Sequence, residues 1–185
     1  VKGYHDSKTP VEIRDNWRTP QWLFDYYDRT YHFGLDLAAS DTNHLCDVYM
    51  TEDSSGLELT VVNSWRAWNA VTNRAIWCNP PYSDIIPWVD ACIALSQYVP
   101  VVMLIPSDTS VKWFAKAWEN AAQVDFINGR IGFINESTGK PVSGNNKGSV
   151  VFHFRQFEPV RQVNLIDRNV MMCQTDTKLS EDAQQ

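Results

Sequence analysis

The stretch "VPVVMLIP", residues 99–106, is a continuous apolar run bounded by prolines. Its length suits a strand, and unbroken hydrophobicity is what a parallel strand covered on both faces requires. Just before it, "IIPWVDACIALSQY" (85–98) has helical spacing, with Trp88, Cys92 and Leu95 on one stripe. Pro87 fits that helix only in the first turn. Further upstream, "NRAIWCNPPY" (73–82) reads as a strand running into two adjacent prolines. Downstream, "SVKWFAKAWENAA" (110–122) is helical, with Val111, Phe114, Ala115 and Trp118 at helical spacing. Strand and helix in alternation predict an α/β sheet, mainly parallel.

The flanks extend the pattern. "TPQWLFDYYDRTY" (19–31) reads as a helix with Thr19 as N-cap, Pro20 at the first helical position, and Trp22, Leu23, Tyr26 and Tyr27 on its apolar face. "FGLDLAAS" (33–40) is a short strand ending in small residues, and "LCDVYMT" (45–51) is a second, followed by the polar loop "EDSSG". "QVDFINGRIGFI" (123–134) and "GSVVFHFRQF" (148–157) are two strands joined by "NESTGKPVSGNNK", so the sheet is expected to end in an antiparallel hairpin. The expected organisation is a flexible N-terminus over 1–15, one domain over 16–165, and a polar tail over 166–185 whose end, "TDTKLSEDAQQ" (175–185), is disordered.

Composition agrees with one folded domain. The chain has 185 residues, 44% of them hydrophobic. No apolar run reaches the roughly 20 residues that span a bilayer, and "VKGYHDSKTPVEIRD" lacks an apolar leader. The expectation is a soluble, cytoplasmic protein. The cysteines (Cys46, Cys78, Cys92, Cys173) and histidines (His5, His32, His44, His153) have no metal-site spacing, so reduced thiols, ordinary histidines and no metal are expected. The net charge of −6 argues against a polyanionic partner. Its distribution softens the objection, because residues 112–161 carry an excess of basic side chains: Lys112, Lys116, Arg130, Lys140, Lys147, Arg155 and Arg161. A solvated face would account for these equally well.

The Asn79-Pro80-Pro81-Tyr82 corner carries the chemistry. It falls at the carboxyl end of a strand, where open α/β sheets bind ligands. Two prolines fix the backbone, so the carbonyl between them points in a set direction. The Asn79 amide oxygen is a second acceptor. Two acceptors converging on one point suit an exocyclic amino group, which has two donors, and Tyr82 offers a face for a heteroaromatic ring. The adenine amino nitrogen is a poor nucleophile because its lone pair is delocalised. Holding both N–H groups favours a pyramidal nitrogen able to attack a methyl, by positioning and electrostatics alone.

With this corner, the chain resembles S-adenosylmethionine-dependent amino-methyltransferases, whose motif is (Asn/Asp/Ser)-Pro-Pro-(Tyr/Phe/Trp). More narrowly it resembles the phage-encoded DNA N6-adenine methyltransferases, the Dam-like family. The matching segments, in order, are "WRTPQWLFD" (17–25), "LDLAAS" (35–40), "EDSSGL" (52–57), "CNPPY" (78–82), "VVMLIPSDTSVKWF" (101–114), "GRIGF" (129–133) and "GSVVFHF" (148–154). The resemblance implies a Rossmann-like methyltransferase fold, with the usual second strand and helix trimmed between Asp36 and Asn79. It implies S-adenosylmethionine as cofactor, DNA as partner, and protection of phage DNA from restriction in a bacterial host.

The resemblance also lends roles to residues. Trp17, Thr19 and Pro20 match the segment that closes over the methionine end of the cofactor. Asp36, Ala38, Ala39 and Ser40 match the first cofactor motif, with Ser40 where many relatives have glycine. Asp53, ahead of Glu52, matches the acid that meets the cofactor's ribose or adenine. A tight strand-to-helix turn or a surface turn would account for these residues too. For DNA contact the candidates are Ser107, Asp108 and Thr109, then Lys112, Trp113 and Arg130, and the hairpin loop with Lys140, Asn145, Asn146 and Lys147. Base flipping follows if the substrate is duplex. Methylation of RNA adenine or of a protein glutamine amide would use the same cradle, and a catalytically inactive binding module is the remaining alternative.

Overall fold

A computed structural model of the chain describes residues 17–51, 73–142, 147–156 and 161–182. Strand β1 (Trp17–Arg18) leads into helix α1 (Gln21–Tyr31), then β2 (Leu35–Asp36) and β3 (Ile76–Cys78). Helix α2 (Ile86–Leu95), β4 (Val101–Pro106), α3 (Lys112–Asn120) and β5 (Gln123–Asn128) continue the alternation. β6 (Ile134–Asn135), β7 (Ser149–Phe154), β8 (Gln162–Asp167) and α4 (Arg168–Asp182) complete it.

Six strands form one sheet in the order β2-β3-β4-β7-β5-β8, and β1 pairs separately with β6. The sheet is mainly parallel, as the sequence predicts: β2–β3, β3–β4 and β5–β8 are parallel pairs. β7 is the one reversed strand and lies between β4 and β5. All six residues of β4 are buried, which explains its unbroken apolar run.

Two apolar layers sandwich this sheet. Val89, Cys92 and Leu95 of α2 and Phe114 and Ala117 of α3 cover one face. Leu23, Phe24 and Tyr27 of α1 and Met171 of α4 cover the other. Pro87 sits in the first turn of α2, where a missing N–H does no harm. α1 ends where His32 turns left-handed (φ 49°), and Asp28 Oδ1 accepts the Phe33 N–H at 2.6 Å.

Four expectations need correction. Thr19 is not an N-cap: it is buried, Pro20 takes the cap position in extended geometry, and the Pro20 carbonyl receives the Leu23 N–H. The boundary at 165 cuts through β8, which completes the sheet beside β5. The disordered tail is instead helix α4 up to Asp182, held because Met171 and Thr175 are buried and Arg29 of α1 donates to the Gln174 carbonyl at 2.9 Å. "LCDVYMT" is less than a strand. It meets β2 through one parallel bridge, Asp36–Tyr49, with Met50 N–H donating to the Asp36 carbonyl. The flexible N-terminus falls outside the described residues, as does the "EDSSG" loop.

Candidate active site

Because β2, β3, β4 and β5 run the same way, Asp36, Cys78, Pro106 and Asn128 all arrive at one edge of the sheet. The Asn79–Tyr82 corner leaves that edge directly after β3. Pro80 is buried, while Asn79, Pro81 and Tyr82 are half-buried. The corner folds back on itself, so that the Tyr82 hydroxyl donates to Asn79 Oδ1 at 3.1 Å. Phe133 meets the Tyr82 ring edge-on at 6.1 Å and stacks on Trp17 at 6.0 Å. An aromatic bridge therefore connects the β1 segment to the Asn-Pro-Pro-Tyr corner. Cys78, beside it, is wholly buried in the core.

Asp36 ends β2 one strand away and is only 4% exposed. Its Oδ2 accepts the Leu45 N–H at 3.1 Å, while Oδ1 is buried with no partner. Burial pushes the carboxyl up to about 6, against the opposing pull of the Leu45 and Ala38 amides and His44. The indole N–H of Trp17 is likewise buried and unpartnered. A buried acceptor or donor left without a partner is costly unless a ligand meets it. Ala38, Ala39 and Ser40 follow Asp36, and Ser40 exchanges backbone hydrogen bonds with Asn43 to make a tight turn. Thr19 and Pro20, both buried, link β1 to α1.

The candidate polyanion contacts divide between the two edges. Ser107 and Asp108 follow β4, and Ser107 N–H donates to the Gly148 carbonyl at 2.8 Å. Asp108 pairs with Lys147, so these residues join the ends of β4 and β7. Lys112 at the start of α3, Arg130 after β5 and Lys140 in the β6 turn are exposed around the same edge. Trp113 is half-buried against the core, which leaves its ring less open for stacking than the sequence suggests. Lys116 is engaged with Asp90 on α2. Arg155 and Arg161 lie at the opposite edge, so the basic stretch is not one patch. Asp53, Glu52, Asn145 and Asn146 lie outside the described residues.

Two groupings carried no signal in the sequence. Glu136, just after β6, accepts from both Arg18 and Thr42. At the opposite edge, Asp125 accepts from Tyr27, Gln123, Asn164 and His153, and Tyr31 joins His153 to Arg155. Apart from Gln123, the partners of Asp125 and of Glu136 come from distant segments that only the fold brings together. A cavity of about 630 Å³ opens beside this second group, away from the Asn79 edge. No helix among the described residues is long and apolar enough to cross a membrane.

The profile of the DNA N-6-adenine-methyltransferase (Dam) family matches residues 6–178. A DNA N-6-adenine-methyltransferase of Escherichia phage T1 is 34% identical over 174 residues, covering 85% of this chain and 69% of that protein. Another from Haemophilus phage HP1 (strain HP1c1) is 34% identical over 160 residues, covering 83% of this chain and 86% of the relative.

Proposed function

The chain belongs to the DNA N-6-adenine-methyltransferase (Dam) family, and on that premise we propose that it methylates adenine N6 in DNA at the Asn79–Tyr82 corner. The observation that carries this reading is the placement of that corner. It leaves the carboxyl edge of β3, next to a buried carboxylate with an unmet oxygen. The cofactor we assign is S-adenosylmethionine, which supplies an electrophilic methyl when bound.

The residues at hand suit its amino-acid end. Asp36 Oδ1 needs a donor and an ammonium provides one; the Trp17 indole N–H needs an acceptor and a carboxylate provides one. The small side chains of Ala38, Ala39 and Ser40 let a ligand approach the backbone, and Thr19 and Pro20 form the wall on the other side. Asp53 is assigned the ribose or adenine end.

Asn79 Oδ1 and the Pro80 carbonyl hold the two N–H groups of the target amine, and the Tyr82 ring stacks on the base. An acceptor oxygen has two lone pairs, so the Tyr82 hydroxyl does not exhaust Asn79. Localising the nitrogen lone pair requires no covalent enzyme intermediate. An adenine inside a duplex cannot reach this corner, so it is flipped out of the stack. Ser107, Lys112, Arg130, Lys140 and Lys147, with Trp113 at the margin, form the DNA-facing rim, and Asn145 is assigned a DNA contact as well. The setting that fits is the cytoplasm of a phage-infected bacterium, with restriction protection as the role.

The test is transfer of labelled methyl from S-adenosylmethionine to unmethylated DNA, RNA and protein offered separately. Label in DNA, recovered as N6-methyladenine, is the expected result. Label in RNA or protein alone would overturn the assignment.

A further inference from the structure

Glu136 lies outside every motif described above, yet one of its oxygens joins three separate segments. Thr42 Oγ1 donates to Glu136 Oε1 at 2.6 Å, and Arg18 Nη2 donates to the same oxygen at 3.1 Å. Arg18 immediately precedes Thr19 and Pro20. Thr42 lies in the Ser40–Asn43 turn, closed by Ser40 N–H to the Asn43 carbonyl at 2.9 Å and Asn43 N–H to the Ser40 carbonyl at 3.1 Å. Because the Thr42 hydrogen is committed to Glu136, the 3.4 Å contact between the Ser40 and Thr42 hydroxyls has Ser40 as its donor. Glu136 itself directly follows β6, whose partner strand is β1.

We propose that Glu136 is a positioning residue that clamps the two walls of the methyl-donor pocket, the Arg18–Pro20 segment and the Ser40–Asn43 turn, against each other. The inference rests on the donor-site reading given above.

The turn is tied at its base by Asp36, whose Oδ2 accepts the Leu45 N–H, and at Asp41, whose Oδ1 accepts the Tyr49 hydroxyl at 3.1 Å. Its tie to the β6 side runs from Thr42 to Glu136. Both hydrogen bonds to Glu136 have an ionised acceptor, and they hold its carboxyl below the usual glutamate range. With Arg18 and Glu136 side chains 33% and 26% exposed, the ion pair by itself contributes little to folding. Its consequence is geometric: it fixes how the Arg18–Pro20 segment and the Ser40–Asn43 turn lie against each other. The pocket walls come from segments far apart in the chain, so releasing the clamp costs preorganisation rather than fold.

Calorimetric binding of S-adenosylmethionine, together with steady-state kinetics, tests this. Glu136→Ala is expected to weaken donor binding and raise the donor KM about tenfold, with kcat at saturating donor and the KM for DNA within about twofold of wild type. Glu136→Gln, which keeps an acceptor but no charge, falls between. Thr42→Val weakens donor binding in the wild-type background and has no further effect in Glu136→Ala. If Glu136→Ala does not fold, Thr42→Val alone decides, since it removes one hydrogen bond and leaves the ion pair. Donor binding by the variants equal to wild type would overturn the clamp while leaving the donor site intact. Failure of the wild-type chain to bind the donor would overturn both.

Discussion

The Tyr82 hydroxyl donates a hydrogen bond to Asn79 Oδ1 at 3.1 Å, so the side chain assigned to stack on the target base also occupies a lone pair of the side chain assigned to hold it. If stacking is the essential contribution, Tyr82→Phe keeps the ring and turns over within about threefold of wild type. Tyr82→Ala loses the stack and falls about 10- to 100-fold in kcat/KM, the range of one base–aromatic contact. A dead Tyr82→Phe would mean that the hydroxyl's hold on Asn79 matters more than the ring.

On the proposed donor site, Asp36 trades stability for binding. Its carboxyl titrates near 6 in the fold and near its ordinary 3.8 when unfolded. A raised folded pKa means that stability is gained as pH falls from about 6 toward 4 and lost as pH rises through 6. Asp36→Asn should therefore raise stability at pH 8, by about 3 kcal/mol on the scale of such a shift, and this gain should vanish near pH 4. The same substitution should abolish most donor binding. In the wild type, donor affinity should weaken as pH falls below about 6, where the carboxylate is lost; calorimetry across pH 5–8 measures it.

The Asp125–His153 group at the far edge is a matter of folding rather than chemistry. Asp125 is 1% exposed and its two oxygens take bonds from four side chains. An ionised Asp125 only accepts, so His153 Nε2 carries the hydrogen, Nδ1 accepts from Tyr31 at 2.8 Å, and the Tyr31 oxygen accepts from Arg155 at 2.8 Å. Burial lowers the His153 pKa, and the bonds from His153, Gln123 and Asn164 outweigh burial to lower that of Asp125. Both signs agree. The unfolded chain takes up protons that the fold refuses, so stability falls as pH drops below the ordinary histidine value of 6.5, and again in the acid range of carboxylates. Asp125→Asn should cost about 3 kcal/mol, with donor affinity unchanged in the folded fraction. Denaturant melts from pH 8 to 5 in an Asp36→Asn background, free of the opposing carboxyl, show the slope.

Gly129 turns the chain after β5 at φ +100°, and an added Cβ would lie 2.9 Å from Arg168 Cδ. Arg168 opens α4 and donates to the Arg130 carbonyl. Gly129→Ala should lower stability by about 1–2 kcal/mol through backbone strain and a displaced Arg168. Thermal melting reads it directly, and an unchanged melting temperature would contradict this view of the turn.

Local pattern was enough for elements whose partners cover them completely. β4 is buried on both faces and shows it in every residue, and α2 announces itself through Pro87 and the Cys92–Leu95 stripe. β8 gave no such signal, because Val163 and Leu165 remain 51% and 74% exposed on an edge strand. α4 owes its place to contacts with α1 that a polar sequence does not advertise. Thr19 misled for the opposite reason: a residue that looks like a cap is buried. The Asn79 corner was legible because its four residues are contiguous. Glu136 and the Asp125–His153 pair were not, because their partners are distant in sequence and meet only in the folded chain.

The most direct measurement is the N6-methyladenine content of DNA from cells that lack adenine methylation of their own and express either the wild-type chain or Asn79→Ala. The wild type should introduce N6-methyladenine. Asn79→Ala, still binding S-adenosylmethionine, should fall by at least about 100-fold, the loss expected when a positioned acceptor is removed. No N6-methyladenine with the wild type, or near-wild-type levels with Asn79→Ala, would contradict the account.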